Sequence, residues 1–232
     1  MTLSKNKLTN VEPGSSDTVT VQITNQGNGM ETMSIGATGL PPGWQISFSQ
    51  TSVTIGSSHS GNNKETVTAE VFVPEDASAA EDTVITFTVG RGGGSTPYDT
   101  RDLTVSVAAR HSVTTSILST QQTGKTGQTV QFPIDVTNSG NIQDTFKLLA
   151  CDPGDNTGCN SPMWESSFSD SEGNTISQII LDPGQKQTIY LDILVEGEED
   201  ADSASVLARI AIYGTTEADE HTVSVVVSNY NY

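Results

Sequence analysis

Apolar and polar residues alternate along most of this chain. Val19, Val21 and Ile23 are separated by threonine and glutamine. The same period of two recurs over residues 67–73, 103–107, 189–195 and 223–227. This period marks a β-strand that has one face in a core and the other in water. Because the alternating segments are short, are separated by turn residues and include no helical pattern, they predict an all-β protein.

One part of this pattern occurs twice. Residues 19–28 (VTVQITNQGN) return as residues 132–141 (FPIDVTNSGN), which is a separation of 113. The match continues at the same separation from residues 31–37 to residues 144–150. A period this long indicates a domain that was duplicated in tandem.

Each copy has the size and the turn spacing of a small β-sandwich. About 110 residues are enough to close a hydrophobic core. We therefore predict an all-β fold of two tandem immunoglobulin-like β-sandwiches, each with about seven or eight strands, over residues 1–109 and 110–232. Pro133 lies on the outward-facing phase of its strand. Because proline has no N–H to donate, this predicts a strand whose N–H on that side is not needed, as on an edge.

The charge of the chain makes two classes of binding partner unexpected. There are 28 acidic and 10 basic residues, which gives a formal net charge of −18. Such a surface repels phosphate groups, so neither nucleic acid nor an anionic membrane is an expected partner. No apolar run reaches 18 residues, so no direct membrane insertion is expected. Residues 1–10 lack a signal-peptide pattern, so an exported form of this sequence is expected to be a mature piece or a fragment.

Two cysteines bracket a polar loop, CDPGDNTGC. The spacing of Cys151 and Cys159 matches no zinc motif, because no second Cys or His pair lies nearby. We predict a local disulfide, with two free thiols as the alternative. A persistent disulfide implies an oxidising compartment, so the predicted location is extracellular or at the cell surface.

The sequence contains no recognisable catalytic constellation. His59, His111 and His221 fall in a loop tip, between the repeats and at the start of a strand, outside any Ser/His/Asp or metal-spaced motif. The glycines of residues 92–94 lack the Lys-Ser/Thr of a phosphate-binding loop. We predict that the protein is not an enzyme and needs no cofactor, with calcium as the one candidate.

The prediction of calcium binding rests on three acidic loops. Asp170, Glu172 and Asn174 place oxygen donors at alternate positions, as the first half of a calcium loop does, although the expected glutamate further along is missing. The other two loops contain Asp152, Asp155 and Asn156, and Glu198, Glu199, Asp200 and Asp202. The alternative is that these carboxylates are simply solvated.

A few aromatic residues lie outside the predicted core. Tyr98, Tyr230 and Tyr232 are candidates for stacking on sugar rings. No flat cluster of three aromatics is discernible, and the residues after Val225 also fit a last strand. Trp44 and Trp164, which are 120 residues apart, are interpreted as residues that pack at corners.

Both repeats resemble the NPCBM-associated family of immunoglobulin-like domains and, less closely, the bacterial cell-adhesion-related domain family. The resemblance rests on Pro13-Gly14 before the strand and corner of residues 19–27, on residues 40–44 (LPPGW) and on residues 181–184 (LDPG). The second repeat has SPMW where the pattern has Gly, and the first has IGSS where it has Pro-Gly.

The resemblance implies a spacer or adhesion module in cell-surface proteins of archaea and bacteria, with no catalytic residues. We therefore predict a stalk, surface-layer or adhesin segment whose partners are other surface-protein domains or cell-surface polymers. One alternative is an ancillary carbohydrate-binding region of a secreted glycosidase. The other is a filament subunit whose terminal strand adds to the open sheet edge of a neighbour.

Overall fold

The structure is a computed structural model that describes residues 1–91, 96–154, 158–199 and 202–228. The chain divides into two compact units, residues 1–109 and residues 110–232. All regular secondary structure in the described ranges is β-strand, so the predicted all-β class of two immunoglobulin-like sandwiches is confirmed. No helix in these ranges is long and apolar enough to cross a membrane.

Unit 1 has nine strands among its described residues. They are β1 (Thr2–Leu3), β2 (Lys7–Val11), β3 (Ser16–Thr24), β4 (Glu31–Thr38), β5 (Gln45–Phe48), β6 (Ser52–Ile55), β7 (Lys64–Phe72), β8 (Thr83–Arg91) and β9 (Pro97–Val107). One sheet has the order β1-β3-β7-β5, and the other has the order β2-β9-β8-β4-β6. The two sheets enclose one hydrophobic core.

Unit 2 has ten strands in its described part. They are β10 (Val113–Ile117), β11 (Gln121–Gly124), β12 (Thr129–Asn138), β13 (Asp144–Cys151), β14 (Ser166–Ser169), β15 (Thr175–Ile176), β16 (Gln178–Leu181), β17 (Lys186–Leu194), β18 (Ser203–Ile212) and β19 (Ala218–Val227). The sheet orders are β10-β12-β17-β14-β15 and β11-β19-β18-β13-β16. Apart from the short β15, the strand order is that of unit 1.

The first strand of each unit changes sheets part-way along. β1 pairs antiparallel with β3, and β2 then pairs parallel with β9 in the other sheet. β10 and β11 make the same change in unit 2, where β11 pairs parallel with β19. This split, together with β15, is why the described strands outnumber the predicted seven or eight. Hydrophobic alternation could not show the change, because a strand keeps its period of two in either sheet.

Equivalent apolar residues occupy equivalent places in the two cores. Ile23 and Val136, which are 113 residues apart, are 1% and 0% exposed. They lie opposite Glu65 in β7 and Gln187 in β17. Each such side chain contributes roughly 1.5 to 3 kcal/mol by leaving water. The duplication read from the sequence is therefore a duplication of core packing.

β12 is not an edge strand, so the edge position suggested for Pro133 was wrong, although an N–H is indeed not needed on that side. β12 has β17 on one side and β10 on the other, and Pro133 pairs with Tyr190 of β17. β10, however, ends at Ile117, whose partner is Ile134. The β10 side of Pro133 therefore has no ladder partner, and a proline is accommodated in an inner strand for this local reason.

Candidate functional site

Asp170, the central residue of the first calcium candidate, lies at the turn between β14 and β15. Its Oδ1 accepts hydrogen bonds from the backbone N–H groups of Glu172 and Asn174, both at 2.9 Å. The Asn174 side chain also donates to Asp170 Oδ2 at 3.0 Å. The hydrogen bonds from Asn174, first from its side chain and then from its backbone, lower the pKa of Asp170. The charged carboxylate therefore holds this turn in place.

The described residues do not bring the acidic side chains into a metal-binding cluster. Within that part of the chain, no three His, Cys, Asp or Glu side chains are arranged to hold a metal ion. Asp170 Oδ1 already accepts two backbone N–H groups. The calcium site at Asp170, Glu172 and Asn174 stays a prediction.

The second calcium candidate is part of the cysteine loop. Cys151 and Cys159 form a disulfide, with their Cα atoms 4.8 Å apart. Asp152 Oδ1 accepts the N–H of Gly154 at 2.8 Å, and the Asp152 N–H donates to the Asn160 carbonyl. Asp155, like Asn156, lies outside the described residues. The arrangement shows a loop that is closed covalently and by backbone hydrogen bonds.

The third acidic cluster lies just before β18. The Asp202 N–H donates to the Glu199 carbonyl at 3.1 Å. The Glu199 N–H donates back to Asp202 Oδ2 at 3.0 Å. Asp200 lies outside the described residues. As at Asp170, a carboxylate from this cluster accepts a backbone N–H from its own segment.

The structure places one histidine in a cluster that the sequence does not reveal. Thr115 of β10 donates its N–H and its hydroxyl to Asp219 Oδ2 of β19, at 2.7 and 2.8 Å. The Thr115 hydroxyl also lies 2.8 Å from His221 Nε2. Burial raises the pKa of Asp219, but the hydrogen bonds from Thr115 and Glu220 and the charge of nearby His221 together outweigh burial, so the pKa is below its ordinary value.

This Thr/Asp/His cluster differs from a catalytic triad. In a triad the carboxylate orients the imidazole, which in turn activates the hydroxyl. Here Asp219 accepts the Thr115 hydroxyl directly, and Thr115 is only 8% exposed. Because β10 and β19 belong to different sheets, the hydrogen bonds tie the two sheets together at one edge of the sandwich.

A second histidine contacts a buried carboxylate in unit 2. His111 Nδ1 lies 2.8 Å from Asp144 Oδ1. Asp144 is 7% exposed, and its Oδ2 has no hydrogen-bond partner among the described residues. The two residues are 33 positions apart, so motif spacing gives no signal for the pair. One signal was present: Asp144 has the same strand phase as the core residues Phe146 and Leu148.

A buried asparagine is repeated at the corner where β3 ends in unit 1 and β12 ends in unit 2. Asn25 Nδ2 donates to the carbonyls of Gly29 and Ile55, and its Oδ1 accepts the N–H of Gly27. Asn138 makes the equivalent three bonds in unit 2, to Ile142, Leu181 and Gly140. The side chain thus ties the corner to the end of β6 in unit 1 and to the end of β16 in unit 2.

The same end of unit 1 contains an open cavity of about 280 Å³. Asn25, Gly27 and Glu31 are among the residues that line it, as are Tyr98 and Asp99. The Tyr98 hydroxyl donates to Glu31 Oε1 at 2.9 Å, and this bond raises the pKa of Tyr98. Glu31 is 113 positions before Asp144, so it is the counterpart of the buried carboxylate of unit 2.

Of the three tyrosines considered for sugar binding, the structure describes Tyr98. Tyr98 is 56% exposed but stands alone among the candidates, since Tyr230 and Tyr232 lie outside the described ranges. Trp164 is buried in the core of unit 2, and Trp44 packs half-buried against the core of unit 1. The corner-packing interpretation agrees with these positions.

Comparisons with known proteins assign no family. No family model and no curated protein matches the chain. Among solved structures, the chaperone CupB2 of Pseudomonas aeruginosa is similar at 10% identity and a TM-score of 0.33, over 96% of this chain and 99% of that one. A protein of unknown function from Porphyromonas gingivalis is similar at 11% identity and a TM-score of 0.34, over 97% of this chain and 98% of that one. A Salmonella alpha-2-macroglobulin mutant is similar at 12% identity and a TM-score of 0.35, over 97% of this chain and 16% of that one. At these values, the similarities do not assign a function to this chain.

Proposed function

We propose that this chain is a non-catalytic, load-bearing module of a secreted or cell-surface prokaryotic protein, such as a stalk, surface-layer or adhesin segment. Its partners would be other surface-protein domains or cell-surface polymers. The motif resemblance to NPCBM-associated and cell-adhesion-related domains supports this class. The disulfide between Cys151 and Cys159 supports an oxidising location.

The observation that carries the proposal is the parallel pairing of the terminal strands in each unit. β2, near the start of unit 1, pairs in parallel with β9, its last strand, and β11 pairs in the same way with β19. When the two ends of such a unit are pulled apart, neighbouring parallel strands slide past each other. Their hydrogen bonds are then loaded together, whereas an antiparallel hairpin pulled from its open end loses them one at a time.

Specific backbone hydrogen bonds form this parallel clamp. In unit 1, the Thr104 N–H donates to Asn6 and the Ala108 N–H donates to Val11, at 3.0 and 2.9 Å. In unit 2, the Ser224 N–H donates to Thr120 at 2.8 Å. The Ser228 N–H donates to Gly124 at 2.9 Å. Both repeats therefore retain the clamp, although their buried polar clusters differ.

Force spectroscopy on the full chain tests the proposal. We expect two unfolding events, one for each unit, because each unit has its own core and its own clamp. The Ser228→Pro substitution removes the N–H that Gly124 accepts, and it should lower the unfolding force of unit 2 alone. Ser228→Ala keeps the N–H and is the matched control, and the event of unit 1 is the internal reference. An unchanged force in Ser228→Pro would contradict the load-bearing role of the clamp.

A further inference from the structure

The two units differ at one sheet edge, because only unit 2 covers the strand that lies there. β5 pairs with β7, and its counterpart β14 pairs with β17. In unit 2, β15 also pairs antiparallel with β14 and places Ile176 opposite Phe168. In unit 1, β5 is the last strand of its sheet and has β7 as its one partner among the described strands. The other side of β5 is therefore an open edge.

The difference arises from an internal connection of each unit. Residues 49–51 join β5 to β6, whereas residues 170–177 join β14 to β16 and include β15. The longer connection turns back at Asp170, whose N–H donates to the Asn174 carbonyl at 3.0 Å. The shorter connection has too few residues to form both a turn and a paired strand. The open edge is therefore built into the middle of unit 1.

Two residues of β5 direct their backbone groups to the open edge. In an antiparallel pair, alternate residues bond to the neighbouring strand. The Ser49 N–H donates to the Thr68 carbonyl at 2.8 Å, so the odd-numbered residues of β5 face β7. Ile46 and Phe48 therefore face away from β7, and no backbone group in the described chain pairs with them there. β5 (QISF) also has neither the charge nor the proline that commonly protects an edge strand.

The open edge leaves part of the core of unit 1 uncovered. Ile46 and Phe48 are half-buried and pack against that core, and the Phe48 ring meets Phe87 edge-on at a centroid distance of 5.9 Å. In unit 2, Phe168 is 3% exposed, and Ile176 of β15 packs against the same core. An added strand with an apolar residue opposite Phe48 would supply to unit 1 what Ile176 supplies to unit 2.

An acidic hollow lies beside this edge on the outer face of the sheet. Its volume is about 210 Å³, and Gln45, Ser47 and Glu70 are among the residues that line it. Glu70 of β7 lies opposite Ser47, is exposed and forms no ion pair in the described chain. Neighbouring strands are about 4.8 Å apart, so a residue added opposite Ser47 would lie about 10 Å from the Glu70 backbone. A lysine there can reach Glu70 across the small Ser47 side chain.

We propose that β5 binds an extended segment of a separate polypeptide, which pairs antiparallel with it as β15 pairs with β14. The segment would have an apolar residue opposite Phe48, a basic residue opposite Ser47 and a second apolar residue opposite Ile46. Its backbone would bond to the free N–H and carbonyl groups of Ile46 and Phe48. The net charge of −18 favours a basic segment over a second copy of this chain. This inference names a binding site beyond the proposed load-bearing role and does not depend on it.

The test uses the full chain and the capped synthetic peptide STIKVTS, whose centre supplies the three residues. The amide signals of Ile46 and Phe48 should shift in NMR spectra and exchange more slowly with solvent as the peptide is added. The signals of Phe168, whose edge is already paired, and of Thr54, on the edge strand β6, should stay in place. No change at about 1 mM peptide, or equal changes at Thr54, would overturn the proposal. Shifts that grow with the concentration of the chain alone would identify a second copy as the occupant and would also overturn it.

One variant and two further peptides locate the contacts. Glu70→Gln should weaken binding of STIKVTS about threefold, because one exposed ion pair is lost, and should not change binding of STIAVTS. Glu75→Gln, which changes an exposed loop carboxylate, is the matched control. The peptide SITKTVS has the composition of STIKVTS but places lysine on the face of its apolar residues, and it should bind at least about tenfold more weakly. Equal binding of STIKVTS by Glu70→Gln and the unchanged chain would contradict the basic contact, and equal binding of SITKTVS would overturn the proposed pairing.

A chain in which residues 49–51 are replaced by the sequence of residues 169–177 is the blocking control. The replacement gives unit 1 the connection that covers the edge in unit 2, so this variant should no longer bind STIKVTS. Slow exchange of its Phe48 amide shows that the new strand has paired, and unit 1 must keep its urea unfolding midpoint within about 0.5 M of the unchanged value. If either condition fails, the comparison of STIKVTS with SITKTVS decides. Undiminished peptide binding by a variant whose Phe48 amide is protected would overturn the proposed site.

Discussion

Removing the buried asparagine of either unit should cost that unit about 3 kcal/mol. Asn138 is 0% exposed, and its side chain makes three hydrogen bonds, to the Ile142 and Leu181 carbonyls at 2.8 and 2.9 Å and from the Gly140 N–H at 2.9 Å. Each bond contributes about 1 kcal/mol net, and Asn138→Ala also leaves buried carbonyl groups without a donor. Asn25→Ala should have the same effect in unit 1, because it removes the equivalent three bonds.

Urea unfolding followed by tryptophan fluorescence can measure each unit by itself. The chain has two tryptophans, Trp44 in unit 1 and Trp164 in unit 2. A Trp164→Phe background therefore reports on unit 1, and Trp44→Phe reports on unit 2. With a slope of about 2 kcal/mol per molar urea, a loss of about 3 kcal/mol lowers the midpoint by about 1.5 M.

The exposed Asn28, at the same corner, provides the matched control. Asn28→Ala should change the stability of unit 1 by less than about 0.5 kcal/mol, because its side chain is exposed. A loss below about 1 kcal/mol in Asn25→Ala or Asn138→Ala would refute the assigned role of the asparagine. So would a loss that appears in both units when only one is changed.

Three further outcomes are expected. Reducing the disulfide between Cys151 and Cys159 should destabilise unit 2 by about 2.5 kcal/mol in the chain-entropy account and leave unit 1 unchanged, as measured by calorimetry with and without reductant. Ionised Asp219, whose pKa is lowered, should stabilise unit 2 above about pH 4 and lose this contribution as the pH falls through the lowered pKa. Asp219→Asn should therefore flatten the acid side of the stability profile of unit 2, and an unaltered profile would contradict this. Calcium added after EDTA treatment should not raise the melting temperature, because Asp170 already accepts N–H groups from its own turn. A rise in melting temperature that Asp170→Asn removes would instead establish the metal site that the sequence predicted.

The sequence was sufficient for those parts of the fold that depend on local pattern. The alternation of Val19, Val21 and Ile23 identified a strand and its buried face, and all three are buried. The period of 113 identified a duplicated unit because both copies bury the same alternate positions. The interpretation of Pro133 failed because an edge position depends on where a neighbouring strand ends, and the chain around Pro133 carries no information about β10.

The two polar clusters could not be predicted from the sequence either. His111 contacts Asp144, and His221 lies beside Thr115 and Asp219, yet no spacing motif links the members of either cluster. Asp144 and Asp219 share the strand phase of core residues, and this is the one signal that sequence analysis could have used. Their partners come from β10 and from the segment before it.

The amino-acid sequence by itself determined that this protein is all-β, that it contains two copies of one unit, and which face of most strands is buried. These are consequences of the period of two and of the repeat, which act within a few residues or at one constant separation. The tertiary structure decided which strands are neighbours. The first strand of each unit changes sheets, and its second half lies parallel to the last strand. Residues 110–112 cover one corner of unit 2. Such contacts join residues up to about a hundred positions apart, and packing of two sheets around a core selects them.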